Sequence, residues 1–375
     1  GMEVWITLSP ESRPWHLGVP GLVQSAPEHL PSTPEERGLV EPFLRQCVEH
    51  FRDSPALGRW VAWNEPQHPG PDVRPRPFAS PEEGRLWVET LQSLYGTVDA
   101  LDRAWLTGYT SMEEVPPPAM VLPAHRECEP FASFGVWLAE SRQRSSALVR
   151  EVEWVAETVR RFDPVTPISV NLPGLFDCYA ATGLDLVGMG GAVDVLGASI
   201  HAAWHLGFVV PDKHPAFVAT GIGLLRGAAR SGRAELTELQ GGNVCAGAPA
   251  AADTSPIQVV ASCLAALASG AEAAVMWALN ARTDGFEAGD WSMTNEDDSS
   301  SPVLAATANL RAALDRLEAC IGPWCPADPT GFVLVDEESS AVELARSRAS
   351  RDAWGSDPHR GVRTAASLAA SALQL

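Results

Sequence analysis

Gly-Arg-Trp-Val-Ala-Trp-Asn-Glu-Pro, residues 58–66, is the stretch that decides the fold. An apolar, β-rich run ends abruptly in an amide, Asn64, and a carboxylic acid, Glu65, and Pro66 then stops the strand. Strands that are apolar on both faces are typical of parallel sheets. A parallel barrel presents its chemical groups at the carboxyl ends of such strands. The alternative is an ordinary turn, since Asn and Pro are common turn residues.

Short apolar runs alternate along the chain with longer amphipathic ones, which is the pattern of repeated β/α units. We predict strands over 3–8, 59–64, 167–171, 194–201, 234–238 and 273–278. Predicted helices cover 35–51, 81–95, 134–162, 256–268 and 303–317, and Ser80 with Glu83 has the spacing of a capping box. A closed barrel needs about eight units. The fold class predicted is therefore α/β, a (β/α)8 TIM-barrel type that is truncated at its N-terminus.

The C-terminal part of the chain has a different pattern. Gly-Phe-Val-Leu-Val-Asp at 331–336, followed by an Ala- and Ser-rich stretch to Leu375, indicates the first strand and helix of another α/β domain. We predict a partial barrel domain over 1–322 and the beginning of a second α/β domain over 323–375.

Composition excludes several classes of partner. The 375 residues carry a formal net charge of −20, with Lys213 as the only lysine. An acidic chain without a basic block argues against nucleic acid and anionic membranes, and no stretch is apolar enough to span a bilayer. No basic-then-apolar signal segment is visible at the start. The seven cysteines lack zinc-site spacing. We predict a cytoplasmic protein with reduced thiols, no metal and no cofactor.

A second strand-end acid lies in Ala-Glu-Leu-Thr-Glu-Leu-Gln-Gly-Gly-Asn, residues 234–243. Glu238 lies at the strand tip, whereas Glu235 faces away if the strand alternates. Two carboxylates at the tips of different strands are the minimum for glycoside hydrolysis, and a retaining enzyme holds them about 5–5.5 Å apart. The alternative for Glu238 alone is a solvated strand-end acid. Its pairing with Glu65 favours the catalytic interpretation.

Further candidates for a sugar cleft follow other predicted strands. Aromatic faces stack on sugar rings, and carboxylates accept hydrogen bonds from hydroxyl groups. Asn171 ends its strand and is a candidate for the cleft wall. His201 and His205 have the spacing of a metal-binding pair on a helix, but without a third ligand we predict a cleft-lining or structural role. No nucleophile elbow supports a serine triad. The cluster after the last strand comprises Trp277, Asn280, Arg282, Asp284, Glu287, Asp290 and Trp291.

Together these residues resemble family 42 of the glycoside hydrolases, the retaining β-galactosidases. Residues 95–107, Tyr-Gly-Thr-Val-Asp-Ala-Leu-Asp-Arg-Ala-Trp-Leu-Thr, closely follow a family-specific stretch. Residues 63–65 match the acid/base motif, and 237–243 fit the nucleophile motif. The resemblance implies that Glu65 is the acid/base and Glu238 the nucleophile. It also implies a set of substrate-binding residues: Asn64, Asn171, His201, Trp277, Glu287 and Asp290.

The chain departs from the family pattern in several places. His201 stands where the family has a tyrosine, and Asp290 stands where it has a sugar-binding histidine. By this resemblance we expect the chain to lack the first two β/α units, the zinc-binding cysteines of some members and most of the flavodoxin-like second domain. That second domain often mediates trimers, so a homo-oligomer is implied.

The resemblance implies a retaining β-glycosidase that hydrolyses terminal β-galactoside-type linkages in a glycoside or oligosaccharide. Two alternatives stay open. One is another barrel β-glycosidase, of the β-glucosidase, cellulase or α-L-arabinopyranosidase type. The other is an inactive, truncated relative that only binds sugar.

Overall fold

A computed structural model describes residues 2–8, 34–67, 78, 81–118, 134–245, 253–284, 287–322, 333–349 and 359–372. Within them the strands form a curled parallel sheet in chain order. The six strands predicted for the barrel are present, with bounds displaced by at most two residues. They are β1 Val4–Thr7, β2 Leu57–Asn64, β3 Ile168–Leu172, β4 Val195–Ile200, β5 Ala234–Gln240 and β6 Ala271–Trp277.

Helices follow the strands, as the β/α pattern requires. The predicted helices are all present, while several shorter ones and the glycine-containing helix over His214–Ala228 were not predicted. Ser80, the predicted N-cap residue, lies outside the described residues. The helices are α1 Pro34–Phe51, α2 Pro81–Tyr95, α3 Val98–Trp105, α4 Gly135–Phe162, α5 Tyr179–Thr182, α6 Leu186–Ala192, α7 Ala202–His205, α8 His214–Ala228, α9 Pro256–Ala268, α10 Pro302–Ile321, α11 Glu337–Ala349 and α12 Arg360–Ala372.

Side chains alternate between the two faces of the sheet. The apolar side chains of the strands pack under the helices, and full burial of one such side chain contributes about 1.5–3 kcal/mol to the stability of the fold. The polar side chains of the strands are buried on the concave face. The apolar set includes Trp60, Ala62, Val170, Leu196 and Leu236, with Val152 of α4 and Ile222 of α8. The polar set includes Arg59, Ser169, Ser199, Glu235 and Thr237.

An ion pair crosses the concave face. Arg59 Nη2 of β2 lies 3.3 Å from Glu235 Oε2 of β5 and 3.2 Å from Glu272 Oε2 of β6. Glu235 is fully buried. Burial raises the pKa of Glu235, and the neighbouring charge of Arg59 opposes that rise. Because β2 and β5 are not adjacent, this contact ties two separated strands of the curled sheet together.

The C-terminal helices pack on the other helices. Val362, Ala366 and Ala370 of α12 are buried in the main core, and α12 contacts α8. Of the predicted strand at 331–336, residues 333–336 form no strand, and 331 and 332 lie outside the described residues. The domain division at 322 stays a prediction. None of the helices in the described ranges combines the length and apolarity that a membrane span requires.

Candidate active site

A cavity of about 630 Å³ opens at the carboxyl ends of the strands. This volume lies in the range of small-molecule sites, roughly 300–1,000 Å³. Its lining includes residues from or directly after nearly every strand, among them Thr7, Asn64, Glu65, His201, Glu238 and Trp277. The parallel arrangement therefore brings together strand-end groups that are far apart in sequence.

Glu65 occupies a sharply turned position at the end of β2. Its backbone has φ of 49°, in the left-handed region, which costs a non-glycine residue roughly 1–2 kcal/mol. The Glu65 N–H donates to the backbone oxygen of Asn171 at 2.7 Å, which fixes this turn. Burial raises the pKa of the Glu65 carboxyl, and the negative charge of Glu238 adds to the rise, while a hydrogen bond with Ser199 opposes it. Glu65 is thereby suited to hold a proton.

Glu238, at the tip of β5, accepts hydrogen bonds on both carboxylate oxygens. Asn171 Nδ2 donates to Oε1 at 2.9 Å, and His201 Nε2 lies 3.2 Å from Oε2. Donors on both oxygens fix the orientation of the carboxylate. A carboxylate oxygen of Glu65, one of Glu238 and a ring nitrogen of His201 all lie within 4.8 Å of one another.

Asn171 connects the two strand ends. Its Nδ2 also donates to Asn64 Oδ1 at 2.8 Å, and its Oδ1 accepts from Ser199 at 3.2 Å and from Thr237. Since Asn64 Oδ1 is occupied by Asn171, the Asn64 amide NH₂ is the group that can donate to a ligand. Asn171 itself is buried behind the cavity surface, so the structure places it as a support for Asn64 and Glu238.

His201 and His205 form a stacked pair, with ring centroids 5.5 Å apart. His205 Nδ1 accepts from the His201 backbone N–H at 2.9 Å. Burial lowers the pKa of His205 to about 3, with a smaller contribution from His201, so His205 is neutral. Among the described residues, the atoms that could hold a metal ion belong to Glu65, His201 and Glu238.

The cluster after β6 divides between the cavity and its surroundings. Trp277 and Glu287 both line the cavity, and Arg282 contacts them both, pairing with Glu287 at 2.7 Å and lying 4.9 Å from the Trp277 ring centroid. Asp290 is not among the lining residues. It is buried, and its Oδ1 accepts from the Cys245 backbone N–H at 2.8 Å. Asp290 therefore joins the loops after β5 and β6.

The glycines after β5 have a packing role. A Cβ atom on Gly242 would lie 2.0 Å from the Ser292 backbone oxygen. The loop after β5 can approach the chain near Ser292 only because residue 242 has no side chain.

Several lining residues were not predicted from the sequence. They include Gln67 after β2 and Asp177 and Thr182 after β3. In the sequence, such a residue is marked only by being polar and lying within a few positions of a strand end. This does not show which way a loop side chain points, so the full set of lining residues could not be predicted from the sequence.

A curled parallel sheet with two strand-end carboxylates at one cavity is the arrangement typical of barrel-type glycoside hydrolases. The chain belongs to glycoside hydrolase family 42, the β-galactosidase family, whose sequence model matches residues 15–317.

Individual β-galactosidases are similar to the chain in sequence or in fold. A curated β-galactosidase of Arthrobacter sp. is 30% identical over 152 residues, which are 38% of this chain and 20% of that protein. A GH42 β-galactosidase structure from G. stearothermophilus has a TM-score of 0.70 at 19% identity, covering 90% of this chain and 47% of that one. The β-galactosidase of the psychrophilic Marinomonas ef1 gives 0.67 at 18% identity, covering 87% and 50%. The chain thus spans at most about half the length of these relatives.

Proposed function

We propose that this chain is a retaining β-glycosidase that acts on terminal β-galactoside-type linkages, with Glu65 as acid/base and Glu238 as nucleophile. The observation that carries the proposal is the approach of the two carboxylates within 4.8 Å. Retaining enzymes separate their carboxyl groups by about 5–5.5 Å, whereas inverting enzymes leave about 6.5–9.5 Å for a water molecule. The short separation favours direct attack by Glu238.

In the first step, protonated Glu65 donates its proton to the glycosidic oxygen while a Glu238 oxygen attacks the anomeric carbon. The bond from the anomeric carbon to the leaving oxygen breaks, and a glycosyl ester forms on Glu238. In the second step, ionised Glu65 takes a proton from water, and the water oxygen attacks the anomeric carbon. The ester bond breaks, Glu238 recovers its charge, and Glu65 is again protonated.

The surrounding residues have matching roles in this mechanism. Asn171 and His201 hold the Glu238 carboxylate through its two oxygens. The Asn64 amide donates to the sugar 2-hydroxyl, a contact that strengthens in the transition state. Trp277 stacks on the sugar ring, and Glu287 accepts from its hydroxyl groups.

A substrate panel tests the proposal. The parent chain, Glu238→Ala and Glu65→Ala are assayed on nitrophenyl β-galactosides, arabinosides, fucosides and glucosides, with the exposed Glu153→Ala as control. We expect the parent and control to prefer galactosides, Glu238→Ala to be inactive, and Glu65→Ala to regain activity on activated substrates when azide is added. Full activity of Glu238→Ala on every active substrate would overturn the assignment.

The same panel separates the alternatives. A preference for glucosides or arabinosides would identify another barrel β-glycosidase. An inactive parent that nevertheless binds galactose saturably in calorimetry would identify a sugar-binding relative. We also propose a cytoplasmic location, a homo-oligomer such as the trimer of the resembled family, and a second domain that begins at residue 323.

A further inference from the structure

A carboxylate outside the catalytic pair lines the cavity. Asp177 lies in the loop after β3 and shares this part of the lining with Pro173, Gly174 and Thr182. In the sheet order, β3 is three strands away from β6, which ends at Trp277. Asp177 and Trp277 therefore belong to separate walls of one cavity.

Helix α12 holds Asp177 in place. Arg363 Nη2 donates to Asp177 Oδ1 at 2.9 Å, and Arg363 Nε donates to the Phe176 backbone oxygen at 3.2 Å. The Arg363 guanidinium also lies 4.4 Å from the ring centroid of Phe208. The planar guanidinium presents its donors in a rigid fork, so these contacts fix both the loop backbone and the carboxylate. Val362, next to Arg363, is buried in the core and anchors the helix.

His359 holds the backbone of the loop after β3 and does not hold the Asp177 carboxylate. Its Nδ1 accepts from the Cys178 N–H at 2.8 Å and lies 3.3 Å from Asp177 Oδ1. A ring nitrogen that accepts a hydrogen bond carries no proton and does not donate to the carboxylate. Arg363 is therefore the charged partner of Asp177. Both contacts involve Oδ1, so Oδ2 is the oxygen that can accept from a ligand.

We propose that Asp177 is a specificity-determining residue that accepts a hydrogen bond from the leaving-group sugar, with Arg363 as its positioning residue. This inference rests on the proposed function, in which Trp277 and Glu287 bind the sugar that is cleaved. The separate wall at Asp177 then faces the leaving group. A fixed carboxylate there favours a neutral, hydroxyl-bearing leaving group and repels a sulfated or carboxylated one.

The test compares one galactoside with two leaving groups. The kcat/KM values for a galactosyl disaccharide and for nitrophenyl β-galactoside are measured for the parent, Asp177→Asn and Arg363→Ala. The matched control is Arg360→Ala on the same helix, because Arg360 is exposed and lies 3.7 Å from Glu343, away from the cavity lining. Asp177→Asn should lower kcat/KM for the disaccharide about tenfold or more, as for a lost hydrogen bond to a charged group. It should change the nitrophenyl value by less than about threefold.

Arg363→Ala should give the same selective loss, and combining it with Asp177→Asn should add little, because both changes act on one contact. Arg360→Ala should leave the ratio of the two substrates unchanged. If circular dichroism shows that Arg363→Ala fails to fold, the ratio of the two kcat/KM values in Asp177→Asn alone tests the proposal. Equal losses on both substrates, or no change in their ratio in an active parent, would overturn this inference alone. A parent that hydrolyses neither substrate would overturn the proposed function and this inference with it.

Discussion

His201 Nε2 lies 3.2 Å from Glu238 Oε2 and so joins the loop after β4 to the tip of β5. His201 Nδ1 is buried, with no hydrogen-bond partner in the part of the chain that the structure describes. A proton placed on Nδ1 would find no acceptor, whereas a proton on Nε2 can be donated to Glu238. We therefore assign the ring N–H to Nε2, the nitrogen that faces the carboxylate.

Replacing His201 should impair catalysis more than folding. His201→Phe removes the donor and should lower kcat roughly 10–100-fold, the effect of losing a hydrogen bond to a charged acceptor. His201→Tyr should retain more activity, because a phenol hydroxyl can donate to the same oxygen. Steady-state kinetics on nitrophenyl β-galactoside checks both, with the exposed His50→Ala as control. Equal activity of His201→Phe and the parent would contradict this role.

The pH dependence of activity should report Glu65. Its folded-state pKa lies above the ordinary 4.5, first because of burial and then because of the charge on Glu238. The proton-donating form is lost as the pH rises through this raised pKa, so kcat/KM should fall on the alkaline side. Glu238→Gln removes one cause of the raised pKa, the negative charge of Glu238, and should therefore lower the pKa of Glu65. Carbon-13 NMR titration of Glu65 measures that shift, and an unchanged pKa in Glu238→Gln would argue against the coupling.

The same raised pKa predicts an effect of Glu65 on stability. A carboxyl whose folded-state pKa is raised contributes stability at low pH, and this is lost as the pH rises through the raised value. Glu65→Gln should therefore raise the Tm at neutral pH and change it little near pH 4, roughly the unfolded-state pKa. A lower Tm at neutral pH would contradict this sign.

The Arg59–Glu235 pair under the cavity should matter for stability. Arg59→Leu leaves Glu235 buried without its nearest counter-charge, which should lower the free energy of unfolding by about 3–5 kcal/mol. The loss should be greater at about pH 8 than at about pH 5, because a group with a raised folded-state pKa destabilises the fold once it ionises. Thermal unfolding followed by circular dichroism measures both conditions.

A surface pair provides the control for Arg59. Arg85 is mostly exposed and pairs with Glu82 on α2, so Arg85→Leu should cost at most about 1 kcal/mol. Replacing Arg59 and Glu235 together by apolar residues should recover much of the loss. Equal losses in the free energy of unfolding for Arg59→Leu and Arg85→Leu would contradict a larger contribution from the buried pair.

Activity should not require a metal ion. Both oxygens of Glu238 already accept hydrogen bonds, from Asn171 and from His201, and double displacement by two carboxyl groups needs no Lewis acid. Dialysis against EDTA should therefore leave kcat unchanged. A loss of activity that added Zn²⁺ restores would contradict this and would point to Glu65, His201 and Glu238 as ligands.

The strands and the two strand-end acids could be predicted from the sequence because both follow from local pattern. An apolar run that ends in an acid predicts a strand and the tip of that strand together, as at Glu65 and Glu238. Asp177 and Asp290 show the limit of this reasoning. Each lies in a loop, where the direction of a side chain depends on contacts with distant residues. Arg363 donates a hydrogen bond to Asp177, and the Cys245 backbone N–H donates one to Asp290. Neither partner is visible from sequence spacing.

The most direct test of the central claim is to trap the glycosyl ester on Glu238. A 2-deoxy-2-fluoro β-galactoside with an activated leaving group slows the second step more than the first, so the intermediate accumulates. Mass spectrometry of the protein and of its peptides then locates the added sugar. The proposed mechanism predicts one fluorogalactosyl group per chain, attached to Glu238 and absent in Glu238→Gln. An active chain that forms no adduct, or that carries the sugar on another residue, would contradict it.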